Sequence, residues 1–122
     1  MLIKIPFKTP SINHLYYHKG NMKFLTKEAR ELRAKIEDVI KGMCIITKFS
    51  MESRLKVTIE IHENWICKNG SVKKVDVANR EKFMIDSIFK YLGLDDKFIF
   101  EQIMIKVQDT EEFSIIKLEE IK

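Results

Sequence analysis

Cysteine, proline, glycine and tryptophan are all scarce in this chain: two Cys, two Pro, four Gly and one Trp among 122 residues. Cys44 and Cys67 lack metal-ligand spacing and secretory context, and read as reduced thiols of a cytoplasmic protein. The shortage of Gly and Pro, beside 45% hydrophobic residues, argues for a compact globular chain and against a disordered one. No apolar run reaches the length of about 18 residues that a membrane span needs. The opening MLIKIPFK is too short and too charged for a secretory signal, and reads as a strand. The three histidines make no zinc pattern, since His14 and His18 stand four apart in a loop-like stretch. Repeats, low-complexity tracts and linkers are absent, so residues 1–122 are expected to form a single domain with one core.

What is present is an uneven charge. The formal net charge is only +4, yet residues 1–35 carry eight Lys/Arg against two Glu, and residues 95–122 carry four Lys against eight Asp/Glu. A basic face suited to a polyanion, with a separate acidic end, fits that split; so does a solvated surface with chance clustering.

Ile3, Ile5 and Phe7 alternate with Lys4 and Lys8, the pattern of a half-buried strand that Pro6 and Pro10 confine to an edge. PSINHLYYHKG then has a loop's composition. Its tyrosines and Asn13, beside cations, either meet bases and phosphates or pin the loop to the core. Thr26 is placed to cap a helix over about Lys27 to Lys41, with Ala29, Leu32, Ile36, Val39 and Ile40 as its buried stripe. A short irregular strand is expected around Cys44 to Thr47. Leu55, Val57, Ile59 and Ile61 alternate cleanly with Lys56, Thr58, Glu60 and His62, which predicts a strand. The loop NWICKNGSVKKV follows, with a turn signal at Asn69-Gly70, an apolar anchor in Trp65, and Lys68, Lys73 and Lys74 to track phosphates or simply face water.

A second helix is expected from about Ala78 to Leu92. Met84, Ile85, Ile88, Phe89, Tyr91 and Leu92 form its apolar arc, and Asn79, Lys82, Asp86 and Lys90 lie opposite. Such a stripe is ordinarily just the wet side of a helix. Here Asp76 stands immediately before it and Asp95-Asp96 immediately after, in a Gly-containing turn. Strands at about Phe98 to Val107 and Phe113 to Ile121, joined by QDTEE, read as a closing antiparallel hairpin. The expected class is α+β, a mixed sheet with two main helices on one side.

Carboxylates at both ends of one helix can fix magnesium, which keeps several waters and needs only two or three such ligands. Phosphodiester hydrolysis needs the charge neutralisation and activated water that such an ion supplies, and Lys82 can meet the phosphate. An Asp-Asp pair alone is a weak signal, because turns use it for capping.

The spacing D-x-x-N-x-x-K-x-x-x-D, followed by L-G-L-D-D, resembles the RusA-like Holliday junction resolvases. PSINHLY and FLTKEAR are similar to that family's N-terminal region, and the likeness runs from about Pro10 to Val107. It implies the RusA-like fold and a homodimer with two active sites. The activity implied is a magnesium-dependent endonuclease, with manganese as an alternative, that cuts four-way DNA junctions by paired incisions in recombination and repair. Neither a membrane nor a small-molecule cofactor is expected, and the family's frequent occurrence in phages and prophages implies such an origin here. By the same resemblance Asp76 matches the first family aspartate, Asp96 the final one with Asp95 beside it, Lys82 the essential lysine and Asn79 the motif asparagine. Asn13, Tyr16, Lys68, Lys73, Lys74, Asn79 and Arg80 are the residues expected on DNA. One position departs: the family's second aspartate is Ala78 here. Asp86 or Asp95 substitutes as a ligand, or water fills the position, or the site is impaired and the protein binds branched DNA without cutting it well.

Overall fold

The computed structural model describes residues 1–9, 15–43, 49–50, 52–73 and 78–121. Asn13, Lys74, Asp76 and the strand expected at Cys44 to Thr47 lie outside these residues.

The strand β4, Leu55–Glu63, runs through the middle of the sheet and follows its alternation without a break. Leu55, Val57, Ile59 and Ile61 are all buried, and each contributes about 1.5–3 kcal/mol by leaving water. On one flank β4 pairs antiparallel with β6, Phe113–Glu120, and β6 pairs in turn with the short edge strand β1, Leu2–Ile5. On the other flank β4 pairs parallel with β5, Ile99–Gln108. The order β1-β6-β4-β5 makes the sheet mixed, as expected. Register aligns Ile3 with Ile116 and Ile116 with Ile59, so all three strands turn the same face to the core.

The closing hairpin is a correction. β5 and β6 do not pair, because β4 lies between them. Strands two apart are separated by about 9–10 Å, a gap that four extended residues span. The connection is tied over the end of β4: Asp109 N donates to Glu63 O at 3.0 Å, and the Asp109 carboxylate meets His62 Nδ1 at 3.2 Å.

Two helices cover the buried face. In α1, Lys27–Gly42, Thr26 caps the first turn, its hydroxyl accepting from Ala29 N at 3.1 Å. Ala29, Ile36 and Ile40 are buried, while Leu32 and Val39 are half-buried. In α2, Ala78–Leu92, the buried residues are Arg80, Phe83, Met84, Ile85, Ser87, Ile88 and Phe89. Phe83 joins the expected arc, and Tyr91 leaves it at 42% exposure. Arg33 Nε donates to the buried Ser87 hydroxyl at 3.2 Å and fastens α1 to α2. No helix among the described residues is long and apolar enough to cross a membrane.

The tyrosine-rich segment read as a loop contains a strand. β2, Tyr16–Lys19, and β3, Met22–Leu25, form an antiparallel ribbon with a two-residue turn. Gly20 supplies the positive φ of 62° that such a turn requires.

Candidate active site

The end of α2 sets the geometry. Gly93 takes φ +71°, and Leu94 N donates back to Phe89 O at 2.9 Å, closing the helix in a left-handed cap. The chain reverses there, enters a 3-10 turn at Asp96–Phe98, and returns along α2 as β5. Between helix and strand lies a hollow of about 260 Å³. Glu81, Lys82, Ile85 and Asp86 wall it from α2, Asp96 from the turn, and Ile99, Phe100 and Gln102 from β5. A second hollow of about 420 Å³ shares Asp86 and Asp96 and continues past Lys90 and Asp95.

Lys82, Asp86 and Asp96, chosen from the sequence as site residues, thus line one groove. Asn79 falls in the first turn of α2. Asp95 does different work. Its carboxylate accepts from Lys97 N at 3.0 Å as the cap of the 3-10 turn, and Lys97 Nζ stands 3.7 Å away. Asp95 is therefore a cap at the groove's rim, whereas Asp96 faces the larger set of carboxylates.

Those carboxylates strain against one another. Partial burial raises the Asp86 pKa, the charge of Asp96 adds to the rise, and Lys82, Arg33 and Lys23 oppose it. Glu81 is raised too, first by burial and further by Asp86 and Asp96; a hydrogen bond from Gln102 and the charge of Lys82 offset part of this. Tyr16 is likewise held above its ordinary value by burial and by Asp86. The groove concentrates negative charge beside a single α2 lysine, an environment that favours a cation. All of its acidic donors are hard oxygens, the chemistry suited to magnesium. Among the described residues, no three His, Cys, Asp or Glu side chains converge closely enough to hold an ion by themselves.

A stability prediction follows from the raised carboxyls. A group whose folded pKa exceeds its unfolded value binds its proton more tightly in the folded chain, so its ionisation costs stability. That cost is absent below the ordinary carboxylate range and complete above the folded pKa. Asp86→Asn removes it. In EDTA at neutral pH the variant is expected to melt above the parent, and the gap should close as pH falls from the raised Asp86 value down to the ordinary carboxylate range. Identical melting curves at pH 7 would count against the crowding of charge.

Other expected DNA contacts separate. Lys68 is exposed and Lys73 half-buried on a small hairpin closed by the Ile66–Val72 bridge, with Trp65 buried beneath as its anchor. Tyr16 is half-buried. Its ring meets Phe83 edge-on at 6.4 Å, and Lys23 Nζ lies 4.0 Å from its centroid, so it seats the ribbon against α2. Arg80 is a clear correction: only 5% exposed, it forms an ion pair with the buried Glu63 and lies 5.5 Å from the Trp65 ring. A guanidinium held there cannot reach a phosphate.

Glu81 was missed. It precedes Lys82 in sequence but stands outside the motif spacing, and only the return of β5 along α2 brings Gln102 to it.

Comparison with curated proteins returns no match. The family model described as endodeoxyribonuclease RusA matches residues 6–119, a span that takes in every wall of the groove. The groove's carboxylates and lysine, carried on a chain that matches this model almost end to end, belong to a member of the RusA endodeoxyribonuclease family.

Proposed function

We propose that this protein is a magnesium-dependent endodeoxyribonuclease that resolves four-way DNA junctions by paired phosphodiester hydrolysis, working as a cytoplasmic homodimer. The observation that carries the reading is the sharing of one groove by Lys82, Asp86 and Asp96. Asp96 and Asp86, with Asp76 from the segment preceding α2, would hold the ion. Asp86 then takes over from the carboxylate missing at Ala78. Bound there, magnesium supplies Lewis acidity toward the phosphate and an acidified water. The chain's own residues do the rest. Lys82, exposed at the groove wall, draws in a phosphate oxygen and offsets the charge that builds in the transition state. Lys68, Lys73 and Lys74 track the flanking backbone, and Asn79 orients a ligand or water. A two-fold dimer with two such grooves suits a near two-fold junction and two cuts.

The test is cleavage of a synthetic four-way junction in magnesium, with a matched duplex beside it. Symmetric paired nicks in the junction are expected, and none in EDTA. Junction binding without cleavage in magnesium or manganese would favour the second reading, a branched-DNA binder impaired by Ala78, and affinity should then fall steeply with salt. Ala78→Asp separates the two further. It should preserve or raise cleavage, and a severe loss in a folded variant would mean that the site is built around the alanine.

A further inference from the structure

The β2–β3 ribbon has one face that its own packing does not explain. Cross-strand partners Tyr16 and Leu25, then His18 and Lys23, share the face that Tyr16 seats on Phe83. The root is fixed further by Thr26 N donating to Leu15 O at 2.9 Å. The opposite face presents Tyr17, Phe24, Lys19 and Met22. Tyr17 and Phe24 stack at 5.4 Å with ring planes 24° apart, leaving Tyr17 46% exposed, and Met22 beside the turn is 62% exposed. A cross-strand aromatic pair helps to hold a ribbon together. That role does not call for an exposed methionine at the tip. Nor does it account for charge: Lys19 stands on this face, and the whole of Leu15 to Thr26 contains no acidic residue. The ribbon also stands beside the groove, because its seated face packs through Tyr16 on Phe83, the α2 residue next to the groove-wall Lys82.

The geometry points to the free face of this ribbon as the surface that receives unpaired bases at a DNA branch point, Tyr17 stacking on them and Met22 packing beside it while Lys19 holds an adjoining phosphate. It deepens the nuclease reading and rests on it. Sequence-tolerant stacking on aromatics flanked by cations is how single-stranded nucleic acid is bound, and a four-way junction can offer such bases only where its arms exchange. The ribbon gives the enzyme a means of recognising a branch that the carboxylate groove, which deals with phosphates common to all DNA, does not have.

The experiment uses the full chain in EDTA, with a four-way junction carrying 2-aminopurine at the crossover and a linear duplex of the same sequence. The parent protein is expected to raise 2-aminopurine fluorescence in the junction and not in the duplex. Tyr17→Ala and Met22→Ala should each abolish most of that rise and weaken junction binding about tenfold, with duplex binding unchanged. Tyr17→Phe should restore both. Both positions are exposed, and circular dichroism checks that the variants fold. If the parent cleaves the junction in magnesium but neither alanine variant alters fluorescence or affinity, the ribbon assignment is overturned and the nuclease reading stands. Variants that instead lose self-association by sedimentation would make this face a protein interface, which also overturns it. A parent that binds junction no better than duplex and never cuts it removes the nuclease reading, and the ribbon's role with it.

Discussion

Asp96→Asn should lower single-turnover junction cleavage in magnesium by at least about a hundredfold while the folded protein still binds the junction. Among the described residues, Asp96 is the acidic side chain that the chain reversal after Gly93 delivers into the hollow shared with Glu81, Lys82 and Asp86. It acts on both Asp86 and Glu81. An amide keeps the shape and removes the charge, so loss of cleavage with retained binding isolates the electrostatic role. Its neighbour supplies the control. Asp95→Asn can still accept from Lys97 N as a cap, and should keep most activity; Asp95→Ala loses the cap, at about 1 kcal/mol of stability. Should Asp95 prove essential and Asp96 dispensable, the geometry of the turn has been read the wrong way round. Asp76→Asn is expected to match Asp96→Asn, since cleavage that survives either substitution unchanged would leave the groove without a role.

Periodicity in the sequence was enough for the elements that mount this site. β4 alternates strictly because it is covered on one face only, and α1 and α2 carry apolar stripes because each lies on that covered face. The motif spacing likewise brought Lys82, Asp86 and Asp96 together, since the first two share a helix face and the third follows a glycine cap. What the chain order could not reveal is which strands become neighbours. The segment between β5 and β6 is as short as a hairpin turn, yet it strides over the end of β4, and nothing local distinguishes the two paths. Gly20-Asn21 between Lys19 and Met22 did carry a turn signal, masked by the loop-like composition before it. Arg80 and Glu81 failed for a related reason. A cation beside a nuclease motif reads as a phosphate contact, and only the arrival of Glu63 from β4 makes it an internal pair. Only the return of β5 makes Glu81 part of the groove.

That internal pair yields the second large effect. Arg80→Ala is expected to cost about 3–5 kcal/mol, measured by urea unfolding at neutral pH, because it strands the Glu63 carboxylate in the interior. Glu63 is 3% exposed, and among the described residues the only other cation paired with it is Lys8, whose Nζ is 3.8 Å away on a half-exposed side chain. Arg80→Lys keeps the charge but loses the planar fork, and should fall between alanine and the parent. The pair is not an efficient source of stability: Arg80 Nε finds no hydrogen-bond partner among the described residues, so part of its desolvation is never recovered. Glu63→Leu combined with Arg80→Met should therefore return stability to within about 1–2 kcal/mol of the parent or above it, since apolar replacement of a buried pair is often neutral or favourable. Activity should not return in step. The pair joins the last residue of β4 to the first turn of α2, two residues before Lys82, and a methionine in that place fixes no direction. A double variant as stable as the parent but slower in cleavage would show that the ion pair aims the helix start. One that is fully active would reduce the pair to a matter of folding alone.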